Sequence, residues 1–155
     1  MHIPEDIYHV VKQTMPIPCV DLVVLDRIGR VLLVKRANHP ASGQWWFPGG
    51  RVHFLETRQA AALRKLREEC NLNARAVTEL GSLDVIFAGT RAEPPSHAIA
   101  TLFLAQVEDA TSLKLDRQSN AAEWRAPQAW LAETLDPYVA AALCRIPAHE
   151  IGAKA

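Results

Sequence analysis

The chain has 155 residues, 49% of them hydrophobic, which suffices for one domain with a buried core, and we expect a single domain over residues 1–155. Its 17 Lys and Arg residues balance 17 Asp and Glu residues, so no overall charge would attract nucleic acid or an anionic membrane surface. Three scattered cysteines without CxxC spacing, acids within the first 15 residues and the lack of a long uncharged apolar run argue against a disulfide framework, a zinc site, a signal peptide and a membrane span, so we expect a cytoplasmic protein.

An amphipathic helix is predicted near the N-terminus. The segment from Pro4 to Gln13 begins with a proline and two acids, which favour the first turn of a helix. Ile7, Val10 and Val11 then fall on one side of that helix. Such an apolar side packs either on the protein's own core or on a partner, and the sequence leaves both open.

A β-hairpin is predicted after this helix. The run from Ile17 to Leu25 is aliphatic and β-branched, and Asp26 to Gly29 forms a turn into a second strand from Val31 to Lys35. Asp21 interrupts the first strand. Because an acid inside an apolar strand costs free energy unless it is paired or faces a cleft, Asp21 belongs either to a functional cleft or to a strand edge that faces water.

Cationic and aromatic residues flank the loop after the second strand. Arg36 ends that strand with a planar guanidinium, which suits bidentate contact with phosphate; the alternative is a solvated strand end. Trp45, Trp46 and Phe47 follow the loop. Because neighbours on a strand face opposite ways, we expect Trp45 and Phe47 on one face and Trp46 on the other, with one face in the core and the other lining a pocket.

A second helix is predicted from Thr57 to Asn71. Its apolar residues recur at steps of three and four and define one buried stripe: Ala60, Leu63, Leu66 and Cys70. Arg64, Glu68 and Glu69 fall off that stripe together. Two adjacent carboxylates that face a glycine-rich turn offer the hard oxygen ligands that Mg²⁺ and Mn²⁺ prefer. The plain alternative is a solvated face with ordinary ion pairs.

The second half of the chain predicts three more strands and two helices. We expect one strand or two short ones over residues 76–88, with a bulge at Gly81, and a central strand from His97 to Val107. His97 is either a plain strand-end residue or a candidate acid or base. The remaining elements are a loop and strand over residues 116–125 and two helices, each opened by a proline, that cover the sheet over residues 127–133 and 137–146.

The stretch from Gly50 to Leu72 resembles the signature of Nudix hydrolases, G-x5-E-x7-R-E-U-x-E-E-x-G-U, in which U is a bulky aliphatic residue. The positions that fit the signature are Gly50, Glu56, Arg64, Leu66, Glu68, Glu69 and Leu72. Lys65 stands where the family usually has glutamate, and Asn71 where it has glycine. The preceding segment, from Lys35 to Gly50, resembles the KR-x-N-x-P-x-x-G-x-W-x-x-PGG stretch of the GDP-mannose mannosyl hydrolases, a branch of the same family.

The resemblance implies a fold and a set of site residues. The fold is α/β, the Nudix α/β/α sandwich, in which a mixed sheet is flanked by the signature helix on one side and C-terminal helices on the other. One Mg²⁺, or Mn²⁺, would be held by Glu69, the backbone carbonyl of Gly49 and Glu68. Arg36 and Arg51 would lie beside the diphosphate of a nucleotide sugar.

The resemblance also implies a chemistry. Nudix hydrolases of the mannosyl branch cleave GDP-mannose or GDP-glucose to GDP and free sugar. Lys65 replaces a glutamate that binds metal or activates water in many Nudix pyrophosphatases, and the mannosyl hydrolases lack that glutamate as well. Attack at the sugar carbon is therefore favoured over attack at phosphorus. In this branch Glu56 and Arg64 would brace the loop and the helix, and Asn71 would take the left-handed conformation that ends a helix.

The general base is the main departure from this branch. The mannosyl hydrolases use a histidine in a loop that corresponds here to Ser119 or Asn120, and neither side chain can act as a base near pH 7. His97, His53 and Asp21 are the candidates that remain, and an aspartate that matches Asp21 lies in the substrate site of those enzymes.

Two other functions stay open at this point. One is a pyrophosphatase that attacks phosphorus in another nucleoside diphosphate derivative and releases a nucleoside monophosphate. The other is a Nudix domain that binds a nucleotide sugar and turns it over poorly. The family forms dimers through its N-terminal region, so the segment from Pro4 to Gln13 is the expected site of a homodimer contact.

Overall fold

The computed structural model describes residues 3–151. Its strands are β1 (Ile17–Leu25), β2 (Val31–Arg36), β3 (Trp45–Trp46), β4 (Gly49–Arg51), β5 (Ala74–Phe87), β6 (Ser96–Val107) and β7 (Ser119–Arg125). Its helices are α1 (Glu5–Thr14), α2 (Arg58–Cys70), α3 (Pro127–Leu131), α4 (Pro137–Leu143) and α5 (Ala148–Ile151). A 3₁₀ turn spans Ala110–Ser112.

The strands form one mixed sheet in the order β3-β2-β1-β6-β5, with β4 paired to β1 and β7 paired to β2. β1 and β6 run parallel, and the other pairs are antiparallel. One core lies between the sheet and α2, and a second core on the opposite face contains residues of α3 and α4. The α/β/α sandwich and the covering role of the C-terminal helices are therefore confirmed.

Local chemistry explains the hairpin between β1 and β2. The Asp26 carboxylate accepts hydrogen bonds from the backbone N–H groups of Ile28 and Arg30, at 3.1 and 2.8 Å. Gly29 has a φ of 80°, a conformation that glycine adopts without steric cost. The predicted bounds of β1 are confirmed, and β2 extends one residue further, to Arg36.

α2 begins and ends where the sequence predicts. The Thr57 hydroxyl caps its first turn by accepting a hydrogen bond from the Ala60 N–H at 3.2 Å. Asn71 follows the last helical residue with a φ of 55°, so the expected left-handed end of the helix is confirmed.

The predicted buried stripe of α2 is partly wrong. Ala60 is exposed and Leu63 is only half-buried, whereas the buried residues are Ala61, Ala62, Lys65, Leu66, Glu69 and Cys70. The helix is thus rotated so that two alanines contact the sheet. Glu69 is buried, not placed with Glu68 on a solvated face. This burial is tolerated because the carboxylate of Glu69 is paired with the ammonium of Lys65.

The expected alternation of the aromatic triplet is wrong. β3 contains only Trp45–Trp46, so Phe47 leaves the strand just before Pro48. Trp46 and Phe47 are both buried in the core that faces α3 and α4, and Trp45 packs against the same core. Both buried rings contact Tyr138, with ring centroids 5.1 and 6.5 Å from it.

The second half of the chain follows the prediction with small changes. β5 is one long strand whose register shifts between Glu79 and Gly81, so the bulge is confirmed, and β6 lies inside the sheet as expected. The helices that begin at Pro127 and Pro137 end earlier than predicted, and α5 and the 3₁₀ turn were not predicted. Over residues 3–151, no helix is both long and apolar enough to cross a membrane.

Candidate active site

A small cleft opens where β2, β4, α2 and β7 meet. Its lining residues are Val34, Arg36, Asn38, Phe47, Gly49, Glu69, Gln118 and Ser119. Arg36 and Ser119 are neighbours because they are paired across β2 and β7. The cleft therefore brings together three of the predicted site residues, Arg36, Gly49 and Glu69, with one of the two positions expected for the loop histidine.

The carboxylate of Glu69 forms the floor of this cleft. Its Oε2 atom accepts a hydrogen bond from the Gly49 N–H at 3.1 Å. Its Oε1 atom is buried and forms an ion pair with Nζ of Lys65 at 2.5 Å. Burial raises the pKa of Glu69 above its ordinary value, and the Lys65 ammonium opposes that rise.

Arg64 braces the loop before α2. Its Nε and Nη2 atoms donate to the two carboxylate oxygens of Glu56 at 2.7 and 2.8 Å, and Nη2 also donates to the carbonyl of Arg51 at 3.1 Å. The hydrogen bonds from Arg64 lower the pKa of Glu56 to about 2. Glu68 accepts from Nη1 of Arg64 at 3.1 Å, and half of its side chain stays exposed. The bracing role expected of Glu56 and Arg64 thus has a direct geometric basis.

Asp21 lies in the core directly behind the cleft. Asp21 does not lie on a strand edge that faces water, because β1 lies inside the sheet and only 7% of the residue is exposed. Oδ2 of Asp21 accepts a hydrogen bond from the Tyr138 hydroxyl at 2.6 Å. A Cβ atom on Gly49 would lie 2.1 Å from the other oxygen, so β4 can approach β1 only with glycine there. Burial raises the pKa of Asp21 to about 7.

The two predicted phosphate-binding arginines are held in different ways. Nε of Arg36 donates to the carbonyl of Pro40 at 2.8 Å, and its guanidinium faces the Trp46 ring at 6.0 Å. The Arg51 guanidinium lies over the ring of Tyr8 in α1, 4.8 Å from its centroid. Nη1 of Arg51 is buried and has no hydrogen-bond partner among the described residues. Arg36 lines the cleft, whereas Arg51 lies beside it on the side of α1.

The candidate histidines lie outside this cleft. His97 pairs with Asp84 at 3.5 Å across β6 and β5. It is five residues before Leu102, the partner of Asp21 in the sheet, which places it roughly 16 Å along the strand from that position. The backbone N–H of His53 donates to Glu56 in the loop before α2. No histidine is among the residues that line the cleft.

A larger concave surface than this cleft lies elsewhere on the described part of the chain. It lies between the hairpin turn at Asp26, the start of β5 and the end of β6. Its charged residues have both signs and include Arg27, Arg75, Glu108 and Glu150. None of the predicted site residues lines it, and no set of like groups converges there, so we assign the chemistry to the smaller cleft.

Comparison with known proteins identifies the family of this chain. The NUDIX domain family matches residues 15–145. The chain belongs to the Nudix family.

Two relatives match this Nudix chain over different lengths. The low-salt glycan biosynthesis protein Agl8 of Haloferax volcanii is 32% identical over 139 residues, which is 88% of this chain and 86% of that protein. The ADP-ribose pyrophosphatase of Methanocaldococcus jannaschii is 30% identical over 84 residues, which is 54% of this chain and 47% of that protein.

Solved structures share the Nudix fold. A MutT NUDIX hydrolase from Burkholderia pseudomallei has a TM-score of 0.73 and 27% identity, and the match covers 86% of this chain and 99% of that one. The MutT protein from Methanosarcina mazei Go1 has a TM-score of 0.71 and 23% identity, with 85% and 94% covered, and shows the fold alone.

The Nudix signature of this chain has few carboxylates for a metal ion. Among residues 3–151, no group of three or more His, Cys, Asp or Glu side chains is arranged to hold one. Glu69 nevertheless fits a cation ligand, because its buried carboxylate already pairs with a cation, the ammonium of Lys65. A carboxylate of this kind suits an ion that takes its other ligands from phosphate and water, as Mg²⁺ usually does.

Several functional neighbours could not be found from the signature. Tyr138 follows Asp21 by 117 positions, and Tyr8 precedes Arg51 on a separate helix. The sequence shows only that both are tyrosines on predicted helices. An aromatic ring with a polar tip is too common on helices to identify a partner.

Proposed function

We propose that this Nudix hydrolase cleaves a nucleoside diphosphate sugar, with GDP-mannose and GDP-glucose as the first candidates, to the nucleoside diphosphate and free sugar in a reaction that requires Mg²⁺. The observation that carries the proposal is the cleft itself, which Arg36, Gly49 and Glu69 line together. A guanidinium binds a diphosphate, and a carboxylate holds the cation that the diphosphate also binds.

Two features favour a sugar as the second half of the substrate. The relative that covers most of this chain is named for glycan biosynthesis. The segment from Lys35 to Gly50 resembles the mannosyl hydrolases, and it supplies Arg36 and Gly49 to the cleft. These features support the substrate class, and the choice between mannose and glucose is left to the assay.

Each proposed site residue has a defined task. Glu69, the carbonyl of Gly49 and the exposed carboxylate of Glu68 would hold Mg²⁺, with Mn²⁺ as a substitute. When bound, the ion would neutralise charge on the departing diphosphate. Arg36 and Arg51 would contact the same diphosphate, and their positions are fixed beforehand by the contacts with Pro40 and Tyr8.

Lys65 favours cleavage at carbon. An ammonium cannot accept a proton from water as a glutamate in that place would, so attack on phosphorus loses its activating group. Leaving-group stabilisation does not require that group, and it suits departure of a nucleoside diphosphate from a sugar carbon.

The base that would activate the attacking water is not assigned to one residue. Ser119 lines the cleft, and its hydroxyl can orient a water but cannot take its proton near pH 7. Asp21 has a pKa raised to about 7 but lies behind Gly49 with its oxygen bound to Tyr138. His97 stands away from the cleft and pairs with Asp84. We therefore assign most of the rate enhancement to the leaving group.

We further propose a cytoplasmic homodimer. The three cysteines Cys19, Cys70 and Cys144 are free, as is usual in a reducing compartment. α1 buries none of its side chains, and it leaves Ile7 and Val10 more than half exposed, which supports a contact between copies through this helix.

The test is turnover of a panel of nucleotide sugars with and without Mg²⁺, with products identified by mass spectrometry. Glu69→Gln should reduce turnover at least about a hundredfold, the usual cost of losing a group that stabilises developing charge. The control Glu79→Gln removes an exposed carboxylate on β5 that pairs with Arg58, and it should keep wild-type activity.

The outcomes separate the three functions. Nucleoside diphosphate and free sugar support the proposal. Nucleoside monophosphate assigns the protein to pyrophosphatases that attack phosphorus, which the partial match to an ADP-ribose pyrophosphatase makes the second candidate. Binding of nucleotide sugar without turnover indicates a binding domain, and wild-type turnover in Glu69→Gln would refute the metal assignment.

A further inference from the structure

Lys65 is buried inside the carboxylate cluster of α2. Its Nζ atom is 2.5 Å from Oε1 of Glu69 and 3.8 Å from Oε2 of Glu68. The side chain of Lys65 is only 10% exposed and that of Glu69 only 7%. A buried ammonium is retained only where a negative group compensates it, so the two side chains form one electrostatic unit.

Gly50, in β4, lies against this lysine. A Cβ atom on Gly50 would lie 2.8 Å from Cε and 3.3 Å from Nζ of Lys65. The first distance is shorter than real Cβ contacts, so a side chain at position 50 would displace the end of the lysine side chain from its present place against Glu69. The lack of a side chain at Gly50 therefore leaves room for the ammonium.

The ammonium occupies the oxygen that a metal ion needs. The Oε2 atom of Glu69 already accepts the Gly49 N–H, and the Oε1 atom faces Lys65. A divalent ion that approached Oε1 would meet a positive charge within a few ångströms at a largely buried place, where electrostatic repulsion is poorly screened.

We propose that Lys65 is a tethered cation that limits this site to one divalent ion and makes binding of that ion depend on the diphosphate. The nucleotide brings negative charge to the cleft and gives the ammonium a second partner, so the ion and the nucleotide strengthen each other's binding. Because coupling between two ligands is reciprocal, the ion raises nucleotide affinity by the same factor. The inference rests on the proposed function only in taking Glu69 as a metal ligand.

The experiment measures Mn²⁺ binding, by the electron paramagnetic resonance signal of free Mn²⁺, with and without GDP. Lys65→Met keeps the length of the side chain and removes its charge. This variant should bind Mn²⁺ at least tenfold more tightly than wild type when GDP is absent. In wild type GDP should tighten Mn²⁺ binding, and in Lys65→Met this gain should shrink. Lys65→Glu should bind a second Mn²⁺.

Matched variants control for net charge and for folding. Arg67→Met removes one positive charge from an exposed place on the same helix, and its Mn²⁺ affinity should stay within twofold of wild type. Lys65→Arg keeps the charge and should keep the wild-type pattern. If thermal denaturation shows that Lys65→Met is not folded, Lys65→Gln replaces it in the comparison.

The results decide the inference independently of the substrate. Tighter Mn²⁺ binding in Lys65→Met supports it even if no nucleotide sugar is turned over, in which case the proposed function alone fails. Equal Mn²⁺ affinity in wild type and Lys65→Met overturns it even if GDP-mannose is hydrolysed. The absence of Mn²⁺ binding from both proteins also overturns it, because Glu69 is then not a ligand.

Discussion

Replacing Asp21 with asparagine should flatten the dependence of stability on pH. The pKa of this buried carboxyl is raised from 3.8 to about 7, so between those values the folded protein keeps a proton that the unfolded chain releases. Stability therefore falls as pH rises through this window and is level above it. Two pH units at 1.36 kcal/mol per unit, reduced because the folded carboxyl is half ionised at pH 7, correspond to roughly 2 kcal/mol.

The assay is urea unfolding at pH 5, 6, 7 and 8, followed by the fluorescence of the four tryptophans. An asparagine still accepts the Tyr138 hydroxyl through Oδ1 but does not titrate. The free energy of unfolding of wild type should fall by roughly 2 kcal/mol more than that of Asp21→Asn from pH 5 to 7. If the pH profiles of wild type and Asp21→Asn were parallel, the inference that the folded protein keeps the proton of Asp21 would be refuted. Asp84→Asn, at an exposed place on β5, should follow wild type.

Three further substitutions test the groups around the cleft. Tyr8→Leu removes the ring under the Arg51 guanidinium and should raise KM about fivefold with little change in kcat, because a cation–π contact contributes about 1 kcal/mol. Arg36→Lys loses the bidentate fork and the bond to the Pro40 carbonyl, and should raise KM about tenfold, as loss of one charged hydrogen bond predicts. Glu56→Gln leaves Arg64 with weaker partners and should cost about 2 kcal/mol of stability in urea unfolding.

Each of these has a control. Tyr8→Phe keeps the ring and should keep the wild-type KM. If Tyr8→Leu and Tyr8→Phe had the same KM, the ring of Tyr8 would have no part in substrate binding. Arg91→Lys changes an exposed arginine in the loop after β5 and should leave KM unchanged. Glu79→Gln breaks an exposed pair with Arg58 and should cost no more than about 1 kcal/mol, and a similar cost for Glu56→Gln would contradict the brace.

The elements that were predictable are those whose cause is local. β1 and the hairpin turn follow from a β-branched run and from the capping by Asp26. The ends of α2 follow from the capping hydroxyl of Thr57 and the left-handed Asn71. Each of these depends on residues a few positions apart, and periodicity or turn chemistry is enough to identify them.

The parts that were not predictable depend on distant residues. The burial of Lys65 and Glu69 contradicts their polarity and becomes favourable only because the helix rotates to place the pair under Gly50. The aromatic triplet packs on one core because α4 brings Tyr138 against it. Patterns along the chain carry no information on such contacts, since polarity and spacing are the same whether or not a partner exists.

Attack at the sugar carbon predicts where an oxygen atom from water appears in the products. The protein is incubated with Mg²⁺ and GDP-mannose, then GDP-glucose, in water enriched in ¹⁸O, and the products are analysed by mass spectrometry. Unlabelled GDP beside labelled free sugar is the predicted result. Labelled GMP or labelled sugar phosphate would contradict it, because oxygen from water would then have attacked phosphorus.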